Sequence, residues 1–259
     1  MNAIFRCGDV VLRVSQPTAP AHVSIELARL LESHGVKVLL PAVSEPIVAD
    51  GMSVTAWPFV PQRSDAVDWT AIGRQLALVH RIGADELPTG LPTPSPVDFG
   101  WWHFEQLVAD VAPRLDDGAR AGIEAALVRN AGWDDFDADD VVVCHGDVHP
   151  GNVMQGSDGP ILIDWDLLCL APPGWDHAPM MTWAERWGGQ AAWYDALADG
   201  YGCSMRGDGW AERFAELRLL AATLMRVKAS MQNESAWPEA DRRLALWRGD
   251  HDAPVWQAL

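Results

Sequence analysis

The chain has 259 residues, a formal net charge of −17 and a pI near 4.6. Apolar residues make up 49%, enough for a packed core, so whole-chain disorder is excluded, and the length suits one large domain or two lobes. The acidity argues against a nucleic-acid surface and against docking on anionic membranes, both of which need clustered Lys and Arg; it is compatible with a cationic small-molecule partner.

Lys37 and Lys228 are the only lysines; the other basic residues are Arg. Cys7, Cys144, Cys169 and Cys203 are widely spaced, which favours buried reduced thiols over a disulfide frame or a zinc site. The N-terminus lacks the basic-then-apolar pattern of a signal peptide. No stretch approaches the ~18 apolar residues of a membrane span. The expected location is cytoplasmic, and nothing in the sequence reports an oligomeric state.

In chain order, AIFRC and VVLRV flank Gly8-Asp9 and predict a hairpin. Residues 20–34 predict a helix, with Val23, Leu27, Leu30, Leu31 and His34 at helical spacing and Gly35 as its stop. Pro41 and Pro46 break the chain beyond that helix, and a strand is expected over 52–57. The Pro-punctuated WPFVPQRS reads as a connector, which places a boundary between a strand-rich lobe, residues 1–60, and a helical lobe, residues 61–259. Asp68 caps a predicted helix with Ile72, Leu76 and Val79 on one face. Residues 83–100 read as loop, 101–112 and 116–130 as helices, and the acidic run Asp134–Asp140 as a solvated loop. Short strands are expected at 141–144 and 161–163. Residues 176–248 hold three or four helices, the clearest over 210–230, where Trp210, Phe214, Leu217, Ala221, Leu224 and Lys228 form one stripe. Most of the 14 Trp read as core, while Trp183, Trp187 and Trp193 with Glu185 are candidates for an acceptor cleft.

Two segments carry chemistry. VVVCHGDVHPGN places Asp147 five residues before Asn152, and ILIDWD places Asp164 twelve residues after it. Each segment comes after an apolar strand, so its polar heads are held firmly at a strand end. A carboxamide oxygen and a carboxylate are hard ligands suited to Mg²⁺, which binds few protein oxygens and completes its shell with water and phosphate. The other carboxylate, Asp147, remains to accept a proton from an attacking hydroxyl. That is the division of labour in kinase phosphoryl transfer, where the catalytic-loop Asp and Asn have the same offset.

HGDVHPGN followed by LIDWD resembles the signature of the aminoglycoside phosphotransferase and choline-kinase-like family, small-molecule kinases with a protein-kinase-like fold. APPGWDHAP is similar to that family's later segment, VVLRVS to its phosphate-contacting strand, and SVTAWPFV to its adenine-holding strand and hinge. The resemblance covers roughly residues 2–190. It implies an α+β, two-lobed fold with a small antiparallel N-lobe sheet, lacking the first strand and Gly-rich hairpin, and a larger helical C-lobe. It implies Asp147 as catalytic base, Asn152 and Asp164 as Mg²⁺ ligands, and His145 and Asp176 as braces of the catalytic loop. Arg13 would contact phosphate, and the backbone at Trp57, Phe59 and Val60 would border the base of ATP or GTP. Arg13 stands where protein kinases carry Lys, and Glu26 is the only acid in the first half of the following helix. His149 has no part in that chemistry and reads as a loop brace, and Asp166 as a hydrogen-bonding residue.

The implied activity is phosphoryl transfer to a hydroxyl of a small molecule, either an aminoglycoside-like or amino-sugar acceptor or a housekeeping metabolite of the choline, homoserine or sugar type. A nucleotide-binding pseudokinase is a third possibility. From the residues alone, the alternation His145-Asp147-His149 also allows a zinc hydrolase, and a purely structural polar turn remains open.

Overall fold

The computed structural model describes residues 2–16 and 20–257. Its strands are β1 (Asn2–Cys7), β2 (Val10–Ser15), β3 (Ile47–Ala49), β4 (Met52–Pro58), β5 (Val142–Cys144), β6 (Val153–Gly156), β7 (Gly159–Leu162) and β8 (Cys169–Ala171). Its helices are α1 (Val23–Ser33), α2 (Trp69–Val79), α3 (Phe104–Val111), α4 (Asp117–Arg129), α5 (Gly174–Arg186), α6 (Ala191–Tyr201), α7 (Gly209–Gln232) and α8 (Trp237–Trp247). The chain divides into two units. One comprises Met1–Thr93, Val142–Cys169 and Ala196–Ser204; the other comprises Pro94–Val141, Leu170–Asp195 and Met205–Leu259.

The first unit holds an antiparallel sheet in the order β1-β2-β4-β3. The β1–β2 register runs from Asn2↔Ser15 to Cys7↔Val10, so Gly8-Asp9 is a two-residue loop with Gly8 at φ 61°, as its sequence predicts. The short edge strand β3 was not apparent among the prolines. Its signal was Asp50-Gly51, at φ 52° and 73°, the left-handed pair that a tight hairpin between Ala49 and Met52 demands. Helix α1 starts three residues later than expected. It buries Val23, Ile25, Leu27, Ala28 and Leu31, while Leu30 and His34 are half-buried. Asp68 caps α2 by accepting from the Ala71 N–H at 2.9 Å, and Ile72, Leu76 and Val79 are fully buried. On the same helix, Gln75 Nε2 donates to the Pro160 carbonyl of β7 at 3.1 Å.

The second unit is helical and built around α7. Phe214, Leu217, Leu220, Leu224 and Val227 of that helix are fully buried, and Trp102 and Trp175 pack near Phe214 with ring centroids 4.5 Å apart. Burying such side chains contributes about 1.5–3 kcal/mol each. Lys228, at the end of the predicted stripe, reaches Asp110 of α3 at 2.7 Å rather than entering the core. The region after residue 172 contains four helices, and the acidic run is exposed loop except for one 3₁₀ turn, Ala138–Asp140, and half-buried Phe136. All four cysteines are free, but only Cys144 and Cys169 are buried; Cys7 and Cys203 are exposed, because they sit at a hairpin tip and beyond a helix end. Among the described residues, no helix is long and apolar enough to cross a membrane.

Asp116 couples a helix start to a distant arginine. Its carboxylate accepts from the Ala119 N–H at 2.9 Å, capping α4, and from Arg248 Nε at 2.8 Å. The Ala119 N–H first, and then the Arg248 guanidinium, hold the Asp116 carboxyl below its usual value against a partial opposing effect of burial. A carboxyl whose folded value is depressed contributes stability above the ordinary carboxylate range and loses it as pH falls through the lowered value. Asp116→Ala is therefore expected to cost about 1 kcal/mol near pH 7. In urea titrations the difference from the parent should shrink as the pH drops below about 4. A pH-independent difference would contradict the cap and ion-pair account.

Candidate active site

The catalytic, metal and nucleotide-site candidates all lie in the first unit, as does His145; Asp176 lies in the second. His145 comes directly after β5 and is fully buried. Its Nε2 donates to the Ile163 carbonyl at 3.0 Å, and its Nδ1 accepts from the Asp147 N–H at 3.3 Å. Both ring nitrogens therefore engage backbone, one on each chemistry-bearing segment. That removes His145 from any zinc-ligand set and with it the H-x-D-x-H hydrolase reading. The Trp165 ring packs on the imidazole with centroids 4.4 Å apart.

Asp147 is about 29% exposed in its side chain. Asn152 Nδ2 donates both to the Asp147 carbonyl at 3.0 Å and to its Oδ2 at 3.2 Å. With its NH₂ group directed at Asp147, the Asn152 carboxamide keeps Oδ1 as an acceptor, and among the described residues that oxygen has no hydrogen-bond partner. The β6–β7 hairpin then sets the next residue. Val153 pairs with Leu162, and the Ile163 N–H donates to the Asn152 carbonyl at 3.0 Å. Asn152 and Ile163 thus flank the open end of one hairpin, and Asp164 is the next residue along. Strand β6 was missed in the sequence, although Gly-Ser-Asp-Gly at 156–159 is a turn signal.

Asp164 is exposed and adopts φ 64°, ψ 67°, the left-handed region. A non-glycine residue held there costs of order 1–3 kcal/mol and persists where its surroundings over-determine it. The kink turns the chain from β7 into the 3₁₀ turn Trp165–Leu167. A carboxamide oxygen and an exposed carboxylate carried at one hairpin end are donors of the hard-oxygen type that Mg²⁺ takes.

Arg13 lies on β2, between Ile4 of β1 and Thr55 of β4. Its guanidinium pairs with the Asp166 carboxylate, two residues past Asp164. Glu26 is exposed on α1. The acid that meets Arg13 is thus on the loop after β7, a partner 153 residues away that no local pattern identifies. Trp57 is the penultimate residue of β4, and its indole N–H donates to Thr55 Oγ1 at 2.9 Å. The Phe59 N–H donates to the Asp9 carbonyl at 2.8 Å, and the Arg6 guanidinium stacks 3.5 Å above the Phe59 ring. Val60 is half-buried, and its N–H has no partner among the described residues. Asp176 belongs to the second unit, in the first turn of α5, and is fully buried. In that same unit Trp183 of α5 and Trp187 at its C-cap, one turn apart, stack with centroids 5.3 Å apart, and Glu185, between them in sequence, is exposed.

Gly146 explains the middle letter of the motif. Its φ is 93°, and a Cβ there would lie 1.8 Å from the Leu167 carbonyl oxygen and 3.0 Å from Leu167 Cβ. Backbone conformation and contact both require glycine. Gly146→Ala is expected to destabilise the fold by roughly 3 kcal/mol, combining left-handed strain with overpacking. Guanidinium denaturation measures this; a loss below about 1 kcal/mol would show that the Leu167 loop yields freely.

A model of the phosphotransferase enzyme family matches residues 5–220. No curated protein matches the chain. Among solved structures, a spectinomycin phosphotransferase bound to ADP and spectinomycin is similar at 15% identity and TM-score 0.67, over 98% of this chain and 93% of that one. The GDP complex of aminoglycoside 2'-phosphotransferase-IIIa is similar at 14% identity and TM-score 0.69, over 96% and 89%. A choline/ethanolamine kinase family protein from Mesorhizobium loti is similar at 17% identity and TM-score 0.65, over 96% and 84%. These likenesses give the kinase-like α+β fold expected from the motifs. The family match spans most of the sequence, both chemistry-bearing segments included, and the chain belongs to the phosphotransferase enzyme family.

Proposed function

We propose that this phosphotransferase moves the γ-phosphoryl group of ATP or GTP to a hydroxyl of an aminoglycoside-like or amino-sugar acceptor. The observation that carries the reading is the Asn152 carboxamide bonded to Asp147 at the open end of the hairpin that also presents Asp164. One residue there can take a proton, while the other two offer oxygens to a cation.

In this reading Asp147 is the base. It accepts the acceptor hydroxyl's proton as that oxygen attacks the γ-phosphorus, and the bond from the γ-phosphorus to the β–γ bridging oxygen breaks to release the nucleoside diphosphate. Asn152 Oδ1 and the Asp164 carboxylate would hold Mg²⁺. When bound, the cation neutralises charge on the phosphate oxygens and orients them. Arg13 contacts the phosphates, and the backbone at Trp57, Phe59 and Val60 borders the base, with the unpartnered Val60 N–H as the donor on offer. His145 braces the catalytic loop. The net charge of −17, the exposed Glu185 and the half-buried tryptophans at the end of α5 suit an amino-substituted acceptor. Free cysteines accord with the cytoplasm. Phosphorylation of an antibiotic acceptor would make the enzyme a resistance determinant. The fold shared with the choline/ethanolamine kinase family protein supports metabolite acceptors as a second reading.

Release of ADP or GDP against a panel of aminoglycosides, spectinomycin, choline, ethanolamine, homoserine and sugars tests the reading. An amino-sugar acceptor is expected to give the highest kcat/KM. Asp147→Ala should lower turnover by at least about 10³-fold and leave nucleotide binding nearly unchanged. Asp164→Ala should weaken Mg²⁺-nucleotide binding in calorimetric titrations. Nucleotide binding without turnover on any acceptor would favour a pseudokinase, and a fully active Asp147→Ala would remove the base assignment.

A further inference from the structure

His149 is unused by the chemistry above, yet it lies against the base. The residue is extended, at φ −156° and ψ 168°, and opens the 3₁₀ turn Pro150–Asn152. Its Nδ1 accepts from the Gly151 N–H at 3.0 Å, and its carbonyl accepts from the Asn152 N–H at 2.9 Å. An imidazole nitrogen that accepts a hydrogen bond carries its lone pair, so the ring hydrogen sits on Nε2. That nitrogen lies 3.3 Å from Asp147 Oδ2. The same oxygen accepts from Asn152 Nδ2 at 3.2 Å, so the carboxamide N–H and the imidazole edge both lie against one carboxylate oxygen.

The approach depends on residue 151. A Cβ at Gly151 would lie 2.7 Å from His149 Cε1 and 3.0 Å from Nδ1, so only glycine lets the ring close on the amide. The two side chains are 25% and 29% exposed, which leaves both accessible from solvent.

We propose that His149 is a positioning residue for the phosphotransfer reaction: the Gly151 N–H fixes its tautomer, and its Nε2–H, with Asn152 Nδ2, pins Asp147 Oδ2 and so fixes the plane of the base. This rests on Asp147 being the base. The hydroxyl proton goes to the Asp147 carboxylate. His149 gives up no proton and gains none. Pre-orienting the base removes a search over its rotamers from the barrier, and a displaced reacting group can cost about 10²-fold in rate.

Two substitutions separate the Gly151 hydrogen bond from the approach to Asp147. His149→Asn places an oxygen where Nδ1 was, keeping the acceptor for Gly151 but not the reach to Asp147. His149→Gln reaches Asp147 with an N–H at the position of Nε2. On the acceptor with the highest turnover in the panel, His149→Asn is expected to lower kcat about 10–100-fold with nucleotide KM within about twofold of the parent. His149→Gln is expected to restore kcat to within about threefold. Equal melting temperatures for the two variants separate positioning from folding. Independently of turnover, ¹⁵N spectra of the parent should show the hydrogen of this ring on Nε2, with its resonance displaced in Asp147→Ala. Hydrogen on Nδ1, an unmoved resonance, or a parental kcat in His149→Asn would overturn the proposal. If Asp147→Ala is inactive while His149→Asn is parental, only the role of His149 falls; if Asp147→Ala is fully active, the base assignment falls with it.

Discussion

One buried imidazole sets the geometry on which the site depends. His145 reaches the backbone of the segment before the β6–β7 hairpin through Nδ1 and of the segment after it through Nε2. Both bonds are to main chain, so they fix the path of the peptide and leave the side chains of Asp147 and Asp164 exposed or half-exposed. A donor or acceptor buried without its partner costs about 1–3 kcal/mol. Replacing this ring with an aliphatic side chain would leave the Asp147 amide and the Ile163 carbonyl without that partner. Gly146 lets this happen: the Leu167 carbonyl comes so close that no Cβ fits.

Hairpin register does the rest. Because Val153 faces Leu162, residues 152 and 163 are held at the hairpin mouth, and a shift of one residue would turn every side chain to the opposite face. The left-handed backbone of Asp164 ends the strand immediately after that mouth. Aspartate tolerates this conformation better than most residues, so the residue type that can bind a cation is also one that fits the kink.

How much of this was legible depends on range. The five-residue spacing of Asp147 and Asn152 is readable in the sequence, and the contact between them lies within that short loop. The hairpin at Gly8, the cap at Asp68 and the helical stripes of α2 and α7 arise from local chemistry in the same way. The sequence does not announce β3, β6 or β8, although Asp50-Gly51 and the Gly-Ser-Asp-Gly turn are present; three or four residues are too few to show alternation. Asp166 as the partner of Arg13 could not be read at all, since nothing local relates residues 153 apart. The position of His149 is visible in the motif, but the role proposed for it depends on which ring nitrogen faces Gly151, and that is a property of the fold.

The Arg13–Asp166 pair gives a physical reason for arginine on β2. Lysine offers a single compact charge, and an acid next to it would occupy the centre that a phosphate needs. A guanidinium carries five N–H donors in a planar fork, so one nitrogen can remain on a carboxylate while others engage a second anion. Here only Nη2 is bonded to Asp166. The side chains are 27% and 50% exposed, so water screens the pair, and its net contribution to stability lies in the range of about 0–1 kcal/mol. Its consequence is positional. The acid is on the loop that carries Asp164, two residues beyond the proposed cation ligand, and the arginine is on a central strand of the sheet. A single contact therefore ties the strand proposed to meet phosphate to the loop proposed to hold the cation that neutralises it. Where a strand–helix pair would leave these two elements to be aligned by packing alone, this pairing couples them directly.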